Sequence, residues 1–510
     1  MFPAEAFGVG VTVAELRPAA PADDVVLPPG VLSRPSRLGD LLQVGLMTPE
    51  QKATQLQRVT EAEAVLAAYK AELVAGLATD RPASHDRHRG QVGAASGEWA
   101  AQLLDEDVSE FYPDELALIL NCSRSSATQL WERSTTLRRR LPATWAALAD
   151  GWLDWPRARA IAAELGWPAR ETPAAVLASV EAVVLPQATG LSITRLRALV
   201  RAELIRADPA AADRRRKKAE RDADVTVRGL GDGMGELRAT MPLTEAAEVR
   251  AEANAHARAL KEAGDERPIG QLRSAVLHDL VTRPWQERPS VSAHVEVVAS
   301  LGALEGAAAG APGAGREPVL VDGEPVPAAL ARELLERLDA LCPGGLQAPT
   351  DGTLSLAVTD SDGRLLAVVT RRALEAAVRR GEDLGPPPAV DRYAPSPAQR
   401  RFARTRDRTC RHPGCSNRAG WADLDHVVAH AEGGETDCAN LCCLCRRHHR
   451  LKTHARGWRY VMTPDGILTV TTPSGVPRVS RPPGMSTGED SVPRVISERR
   501  PRSGPDPPPY

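Results

Sequence analysis

Apolar residues recur at helical spacing through the first half of the chain. In the segment that begins "TPEQ", Leu56, Val59, Leu66, Tyr69 and Leu73 follow one another at intervals of three, four or seven positions. Residues at these intervals share one face of an α-helix, so the pattern predicts a long amphipathic helix.

The same segment carries a helix start signal. Thr48 can cap the helix, Pro49 suits its first position, and Gln51 completes a capping box. Helical patterns then continue to about residue 285, with one interruption in "DVTVRGLGDGMGELRATMPL". Two β-prone runs flank Gly-Asp-Gly there, which predicts a hairpin. We therefore predict a helical domain over residues 41–285.

From about residue 290 the pattern changes to β-prone runs. The segments "SVSAHVEVVASLGAL" and "GTLSLAVTDSDGRLLAVVTRRAL" favour strands with turns at Gly and Asp-Gly, while "GEPVPAALARELLERLDAL" between them favours a helix. This predicts a small α+β segment over residues 286–385. The Pro-rich stretch "GPPPAVDRYAPSPAQRR" predicts a linker over residues 386–397.

A separate module is predicted over residues 398–475, and it ends in the hairpin "GWRYVMTPDGILTVTTPSG", which turns at Pro-Asp-Gly. Residues 1–40 are rich in Pro and lack periodicity, and residues 476–510 are rich in Pro, Ser and Arg. Both ends are predicted to be disordered. The expected fold class is mainly α, with the small α+β segment, the C-terminal module and disordered tails.

Composition narrows the possible functions. The chain has 43% hydrophobic and 25% charged residues and a net charge of −2, so the whole molecule is not a general polyanion binder. No apolar run approaches the roughly 20 residues of a membrane span, and the first residues do not resemble a signal peptide. We expect a cytoplasmic protein without a membrane partner, in which clustered cysteines bind metal rather than form disulfides.

One helical stretch invites a nucleic-acid hypothesis. The segment "ELALILNCSRSSATQLWERSTTLRRR" predicts two helices joined by a short turn, which is compatible with a helix-turn-helix whose Arg138, Arg139 and Arg140 lie near a DNA backbone. Ordinary helical hairpins with a solvated basic end are more common, so the hairpin is the favoured interpretation.

Cysteine and histidine residues cluster near the C-terminus. Cys410 and Cys415 lie in "CRHPGC", and Cys445 and His448 lie in "CRRH". Two short-spaced pairs separated by a longer loop are typical of a tetrahedral structural zinc site. On spacing alone Cys442 could supply the second pair through "CCLC". Cys438, Cys442 and Cys443 would otherwise be small core residues.

The segments "CRHPGC", "LDH", "GGETDCANL" and "LCRRHHRLK" together resemble the zinc-bearing members of the HNH endonuclease family. The resemblance implies a ββα-metal module of about 50 residues. It also implies a structural Zn2+ held by four ligands, with Cys445 chosen over Cys442. Those ligands are Cys410, Cys415, Cys445 and His448.

The resemblance also implies catalytic roles. His426 would be the general base, and Asp425 and His449 would bind a catalytic Mg2+ or another divalent ion. Asn440 would either orient the loop that bears the base or join the metal shell. Three other histidines match no family position and are expected at the surface: His412, His430 and His454.

Local charge favours a nucleic-acid substrate. Residues 401–459 contain 12 Lys and Arg against 6 Asp and Glu, although the whole chain is slightly acidic. Four basic residues would surround the active helix and contact phosphates: Arg446, Arg447, Arg450 and Lys452. The alternative is a solvated helix face. DNA is the expected partner, and RNA is not excluded.

The helical region has its own resemblance. The segments "LRRRLPATWAALADGWLDWPRARAIAAEL", "GDERPIGQLRSAVLHDLV" and "VLVDGEPVPAALAREL" resemble the actinobacterial helical domain that precedes HNH modules, the thirteen-E-twelve repeat family. The resemblance implies a companion of a nuclease. We therefore expect a metal-dependent HNH endonuclease. The alternatives are a nucleic-acid-binding zinc protein without cleavage activity and a zinc-stapled interaction protein.

Overall fold

A computed structural model describes most of the chain. The described residues are 44–86, 107–231, 233–282, 297–299, 319–321, 324–337, 339–342, 345–348, 354–360 and 362–485. The predicted disorder of residues 1–40 and of residues 486–510 lies outside them.

The first helix begins where its capping signal predicts. Thr48 Oγ1 accepts a hydrogen bond from the backbone N–H of Gln51, and Gln51 Oε1 accepts one from the N–H of Thr48. The α-helices in the described part of the N-terminal region are α1 (Pro49–Thr79), α2 (Tyr112–Leu120), α3 (Arg124–Arg140), α4 (Pro142–Ala149), α5 (Trp155–Leu165), α6 (Ala174–Ala188), α7 (Ile193–Ala207) and α8 (Pro209–Arg221).

Helix α1 packs through its small residues. Ala64 and Ala68 join the main core, which α4 to α7 fill with leucine, isoleucine and valine side chains. The apolar stripe read from the sequence faces outward instead: Leu56 is 69% exposed and Tyr69 is 52% exposed. The helix prediction is confirmed, but alanines form the packed face because they let neighbouring helices approach closely.

The Leu165→Ala substitution is expected to lower the free energy of unfolding by about 2–5 kcal/mol, because Leu165 is fully buried in the main core and the smaller side chain leaves a cavity. Urea denaturation followed by far-UV circular dichroism measures the effect. The matched control is Leu56→Ala on the exposed stripe, for which a change within about 0.5 kcal/mol is expected. Equal effects of the two substitutions would contradict this assignment of the core.

The segment considered as a helix-turn-helix comprises α2 and α3. Asn121 adopts a left-handed conformation (φ 52°) between them, and the Ser123 side chain caps α3. At the end of α3, Arg140 donates hydrogen bonds to the carbonyls of Ala169 and Thr172, at 3.0 and 2.8 Å. These contacts join Arg140 to the segment between α5 and α6.

A hairpin and two helices follow. Strands β1 (Val225–Gly231) and β2 (Met234–Ala239) pair antiparallel around the predicted Gly-Asp-Gly turn, and helices α9 (Leu243–Glu262) and α10 (Ile269–Thr282) pack against each other. The hairpin prediction is confirmed.

The described residues of the α+β segment form short antiparallel strands and two helices. Its elements are β3 (Val297–Val298), β4 (Val319–Val321), β5 (Glu324–Val326), α11 (Ala328–Arg337), β6 (Leu341–Cys342), β7 (Gly345–Leu346), β8 (Leu356–Thr359), β9 (Leu365–Val369) and α12 (Arg371–Arg380). The chain is thus mainly α with small antiparallel sheets, as predicted. Among the described residues, no helix is both long and apolar enough to cross a lipid bilayer.

The C-terminal module extends beyond its predicted limits. It comprises α13 (Pro397–Asp407), β10 (Asp423–His426), β11 (Leu441–Leu444), α14 (Arg446–His454), β12 (Arg459–Met462), β13 (Leu468–Thr471) and β14 (Pro477–Ser480). Strand β14 pairs with β13 along its length, so the prediction of disorder from residue 476 was wrong for this strand. Pairing with β13 orders residues 477–480, although this part of the chain is rich in Pro and Arg.

The predicted linker is also part of this module. Val390 forms a β-bridge with Thr436, and Gln399 donates hydrogen bonds to the carbonyls of Pro388 and Thr436. Residues 388–396 therefore lie against the loop between β10 and β11.

Candidate metal centre and catalytic site

Two strands and a helix position the candidate residues. Strands β10 and β11 are antiparallel, with Asp425 opposite Cys442 and His426 opposite Leu441. Helix α14 starts immediately after β11, with Cys445 at its N-cap. Side chains alternate along a strand, so Asp423 and Asp425 lie on one side of β10 and His426 lies on the other.

Four residues form a cluster that could hold a metal ion. The ligand atoms of Cys410, Cys415, Cys445 and His448 all lie within 4.8 Å of one another. The Nδ1 atom of His448 is 3.4 Å from Cys410 Sγ and 3.2 Å from Cys445 Sγ. Tetrahedral zinc geometry requires sulfur to nitrogen distances of about 3.5 Å, so this donor set suits zinc.

The remaining cysteines of the module are core residues. Cys438, Cys442 and Cys443 are buried, and the cluster uses Cys445 rather than Cys442. Burial raises the pKa of the Cys438 thiol to about 11. These thiols stay protonated near neutral pH and pack as small apolar groups.

His412 is buried, which corrects its predicted place at the surface. Its ring stacks on that of His448 with centroids 3.9 Å apart, and its Nδ1 lies 3.0 Å from the Tyr460 hydroxyl. The tight "CRHPGC" turn brings the residue inward with the two cysteines. His430 is exposed as predicted, and His454 is half-buried.

His426 is enclosed by polar and aromatic neighbours. Thr436 Oγ1 donates to the carbonyl of Arg392 at 2.6 Å, and His426 Nε2 lies 2.8 Å from the same hydroxyl. A hydroxyl has one proton, so Thr436 must accept from His426, which leaves Nδ1 of the neutral ring unprotonated. Burial lowers the pKa of His426, and Asp425 partly opposes this shift. The neutral form therefore predominates near pH 7.

On the opposite side of β10, Asp425 and His449 converge. Asp423 Oδ2 accepts a hydrogen bond from His449 Nδ1 at 2.9 Å, which turns the lone pair of Nε2 toward Asp425 Oδ1, 3.5 Å away. The other oxygen, Oδ2, is buried and accepts no well-directed hydrogen bond from the described residues, although Lys452 Nζ lies 3.1 Å away. Two lone-pair donors this close suit a shared cation.

Asn440, which immediately precedes β11, holds the loop that follows β10. Its amide nitrogen donates to the carbonyls of Val428 and Glu435, and its oxygen accepts from the Val428 N–H at 2.8 Å. A Cβ atom on Gly434 would lie 1.9 Å from the Val428 carbonyl oxygen, so only glycine fits where these two parts of the loop approach each other. Of the two roles considered for Asn440, this geometry matches the orientation of the base-bearing loop.

The basic residues of α14 are paired with acidic groups. Arg447 contacts Asp114, Arg450 contacts Glu110, and both partners belong to the N-terminal helical region. Lys452 donates to the carbonyl of His426 and lies near Asp425. Arg446 pairs with Asp423 but keeps 70% of its side chain exposed. Phosphate contact by these four residues stays a prediction.

Sequence reasoning missed several residues of the site. Asp423 lies two positions before Asp425, so strand alternation could have identified it as a neighbour on the same face. Tyr393, which stacks on His426 with centroids 5.4 Å apart, falls in the segment predicted as a linker. For Asp114, Glu110 and Thr436 the sequence offers no local signal.

The chain is similar to uncharacterized mycobacterial proteins. The uncharacterized protein Rv3776 of Mycobacterium tuberculosis strain H37Rv is 30% identical over 379 residues, which cover 70% of this chain and 67% of that protein. The uncharacterized proteins MT2160 of strain CDC 1551 and Rv2100 of strain H37Rv are each 44% identical over 108 residues, covering 21% of this chain and 19% of theirs. No solved structure matches the chain significantly.

A family model described as "Domain of unknown function (DUF222)" matches residues 54–340. The match spans the helical region and ends before the Cys/His cluster. It agrees with the expected resemblance of this region to an actinobacterial helical domain. With the match covering more than half of its length, the chain belongs to the DUF222 family.

Proposed function

We propose that the chain is a metal-dependent endonuclease that hydrolyses phosphodiester bonds of DNA. The observation that carries the proposal is the convergence of Asp425 and His449 on one side of β10. Asp425 is followed directly in the sequence by His426, whose imidazole is buried. Metal-assisted phosphodiester hydrolysis uses a cation site and a neutral histidine base, and these residues would supply the two parts.

His426 would act as the general base. Its Nδ1 is unprotonated when Thr436 accepts from Nε2, so this nitrogen can take the proton of an attacking water. Asn440 supports the role because its three backbone hydrogen bonds hold the loop that follows His426. Lys452 adds a fixed contact through its hydrogen bond to the His426 carbonyl.

Asp425 and His449 would hold the catalytic divalent ion. Such an ion, when bound, neutralises charge on the phosphate and stabilises the leaving oxygen. Asp423 would support this site by orienting the His449 ring, as carboxylates do for metal-binding histidines. The Cys/His cluster would hold a separate structural Zn2+, which would add to the stability that the small buried cluster of this module provides.

DNA contact would rest first on Arg446. It is the most exposed of the four basic residues of α14, and it lies beside Asp423 at the edge of the proposed site. Phosphate contacts by arginine make affinity strongly salt-dependent. Arg447, Arg450 and Lys452 would add positive potential, reduced by their acidic partners.

Plasmid nicking tests the proposal. The purified full chain is expected to convert supercoiled DNA to the open-circular form with Mg2+ or Mn2+, and to stop when a chelator removes the ion. Agarose gels resolve the two forms. DNA binding without metal-dependent nicking would support the alternative of a binding protein. A chain that neither binds nor nicks DNA would contradict the endonuclease and the binding protein alike, and would favour a structural interaction protein.

A further inference from the structure

Helix α2 of the DUF222-matched region lies directly against the Cys/His cluster. The carboxylate of Asp114 is fully buried, and its Oδ1 lies 3.4 Å from His448 Nε2. Arg447 Nε donates to both carboxylate oxygens at 3.1 Å, and Arg124 Nε lies 3.2 Å from Oδ1. A buried carboxylate is thus placed behind one member of the cluster.

The two nitrogens of His448 face different partners. Nδ1 faces the sulfurs of Cys410 and Cys445, while Nε2 faces Asp114. A carboxylate accepts but cannot donate, so Asp114 favours the tautomer with its proton on Nε2 and the lone pair on Nδ1. His412, stacked on the ring, also fixes its plane. This is the arrangement in which a carboxylate orients a metal-binding histidine.

Other contacts hold α2 in this position independently of Asp114. Glu110 binds Arg450 through its carboxylate and Arg447 through its carbonyl, both at 2.6 Å. At the other end of α2, Arg478 Nε donates to the carbonyl of Leu118 at 2.8 Å. The Leu118 side chain belongs to the same buried cluster as Cys410. The interface is therefore formed by apolar packing as well as by charge.

The Asp114 carboxylate is held in place within the interface. Arg447 donates to both of its oxygens through Nε, and to Oδ2 also through Nη2. Hydrogen bonds between a guanidinium and a carboxylate are charge-assisted, so this pairing fixes the carboxylate beside His448.

We infer that Asp114 is a positioning residue of the metal centre, which makes the DUF222-matched region a structural part of that centre. Asp114 orients His448 and raises its basicity as a ligand. The inference rests on metal binding by the Cys/His cluster, which is one element of the proposed function, and does not depend on DNA cleavage.

Metal affinity of the full chain tests the inference. The Asp114→Asn variant keeps the shape and one acceptor oxygen but loses the charge, and its Zn2+ affinity is expected to fall about 10- to 100-fold. Competition with a chromophoric chelator measures the affinity. The matched control is Glu181→Gln, which alters another buried carboxylate of the helical region, bonded to Thr144. Its Zn2+ affinity is expected to stay at the wild-type value.

A second readout separates positioning from general stability. In the Co2+-substituted protein, the visible absorption bands report ligand geometry, and they are expected to shift in Asp114→Asn but not in Glu181→Gln. Unchanged affinity and unchanged bands in Asp114→Asn would overturn the role of Asp114. A wild-type chain that binds neither Zn2+ nor Co2+ would overturn the metal centre itself, so the two failures are distinguishable.

Discussion

The His426→Ala variant is expected to nick plasmid DNA about 100- to 10,000-fold more slowly than the wild-type chain, the range that general-base catalysis contributes. The imidazole is the neutral base of the proposed site, and Thr436 Oγ1 accepts a hydrogen bond from its Nε2–H. Initial rates of nicking at saturating Mg2+ or Mn2+ measure the loss. DNA affinity and metal content are expected to stay at wild-type levels, because His426 belongs to neither of the two proposed sets of metal ligands.

The control for this variant is another histidine outside the module. His256 is exposed on α9 and pairs with Glu252 one turn before it. Its replacement by alanine is expected to leave the nicking rate unchanged. Nicking by His426→Ala at the wild-type rate would remove His426 from the mechanism. Equal losses of nicking rate in the two variants would mean that the loss in His426→Ala does not come from removal of a general base.

The Cys445→Ser variant is expected to lose its structural metal and the ordered packing of the C-terminal module. Apparent binding energies of structural zinc sites are about 10–16 kcal/mol, which is comparable to the whole unfolding free energy of a typical domain, about 5–15 kcal/mol. Cys445, Leu444 and Val470 share one buried cluster, against which Trp458 and Tyr460 pack. We therefore expect loss of near-UV circular dichroism and rapid proteolysis between residues 398 and 480, with zinc content measured by mass spectrometry.

Cys342→Ser serves as the matched control. Cys342 is half-buried on β6 and is not among the residues of the Cys/His cluster. The control is expected to retain zinc and to resist protease as the wild type does. If Cys445→Ser kept one equivalent of tightly bound zinc, the four-residue centre would be wrong.

The features that the sequence predicted correctly depend on residues close together along the chain. The capping box links Thr48 to Gln51 across one turn, and the Gly-Asp-Gly hairpin is closed by adjacent strands. The Cys/His pairs are likewise set by tight turns and by the first turn of α14. In each case local geometry decides which atoms meet, so residue type and spacing were sufficient.

The features that the sequence did not predict depend on long-range packing. Asp114 meets Arg447 across 333 residues, and no periodicity connects them. The orientation of α1 could not be predicted for the same reason. Packing of the neighbouring helices determines that its alanines, rather than its larger apolar residues, are buried. Strand β14 was missed because an existing sheet edge, rather than its own composition, orders it.

The contact between α2 and α14 also has a consequence for synthesis. A ribosome that adds 5–20 residues per second needs roughly 15–70 s to travel from Asp114 to Arg447. During that interval α2 has emerged without the partner that covers Asp114 and Leu118. Completion of the C-terminal module is therefore the event that removes this face of the nascent chain from water.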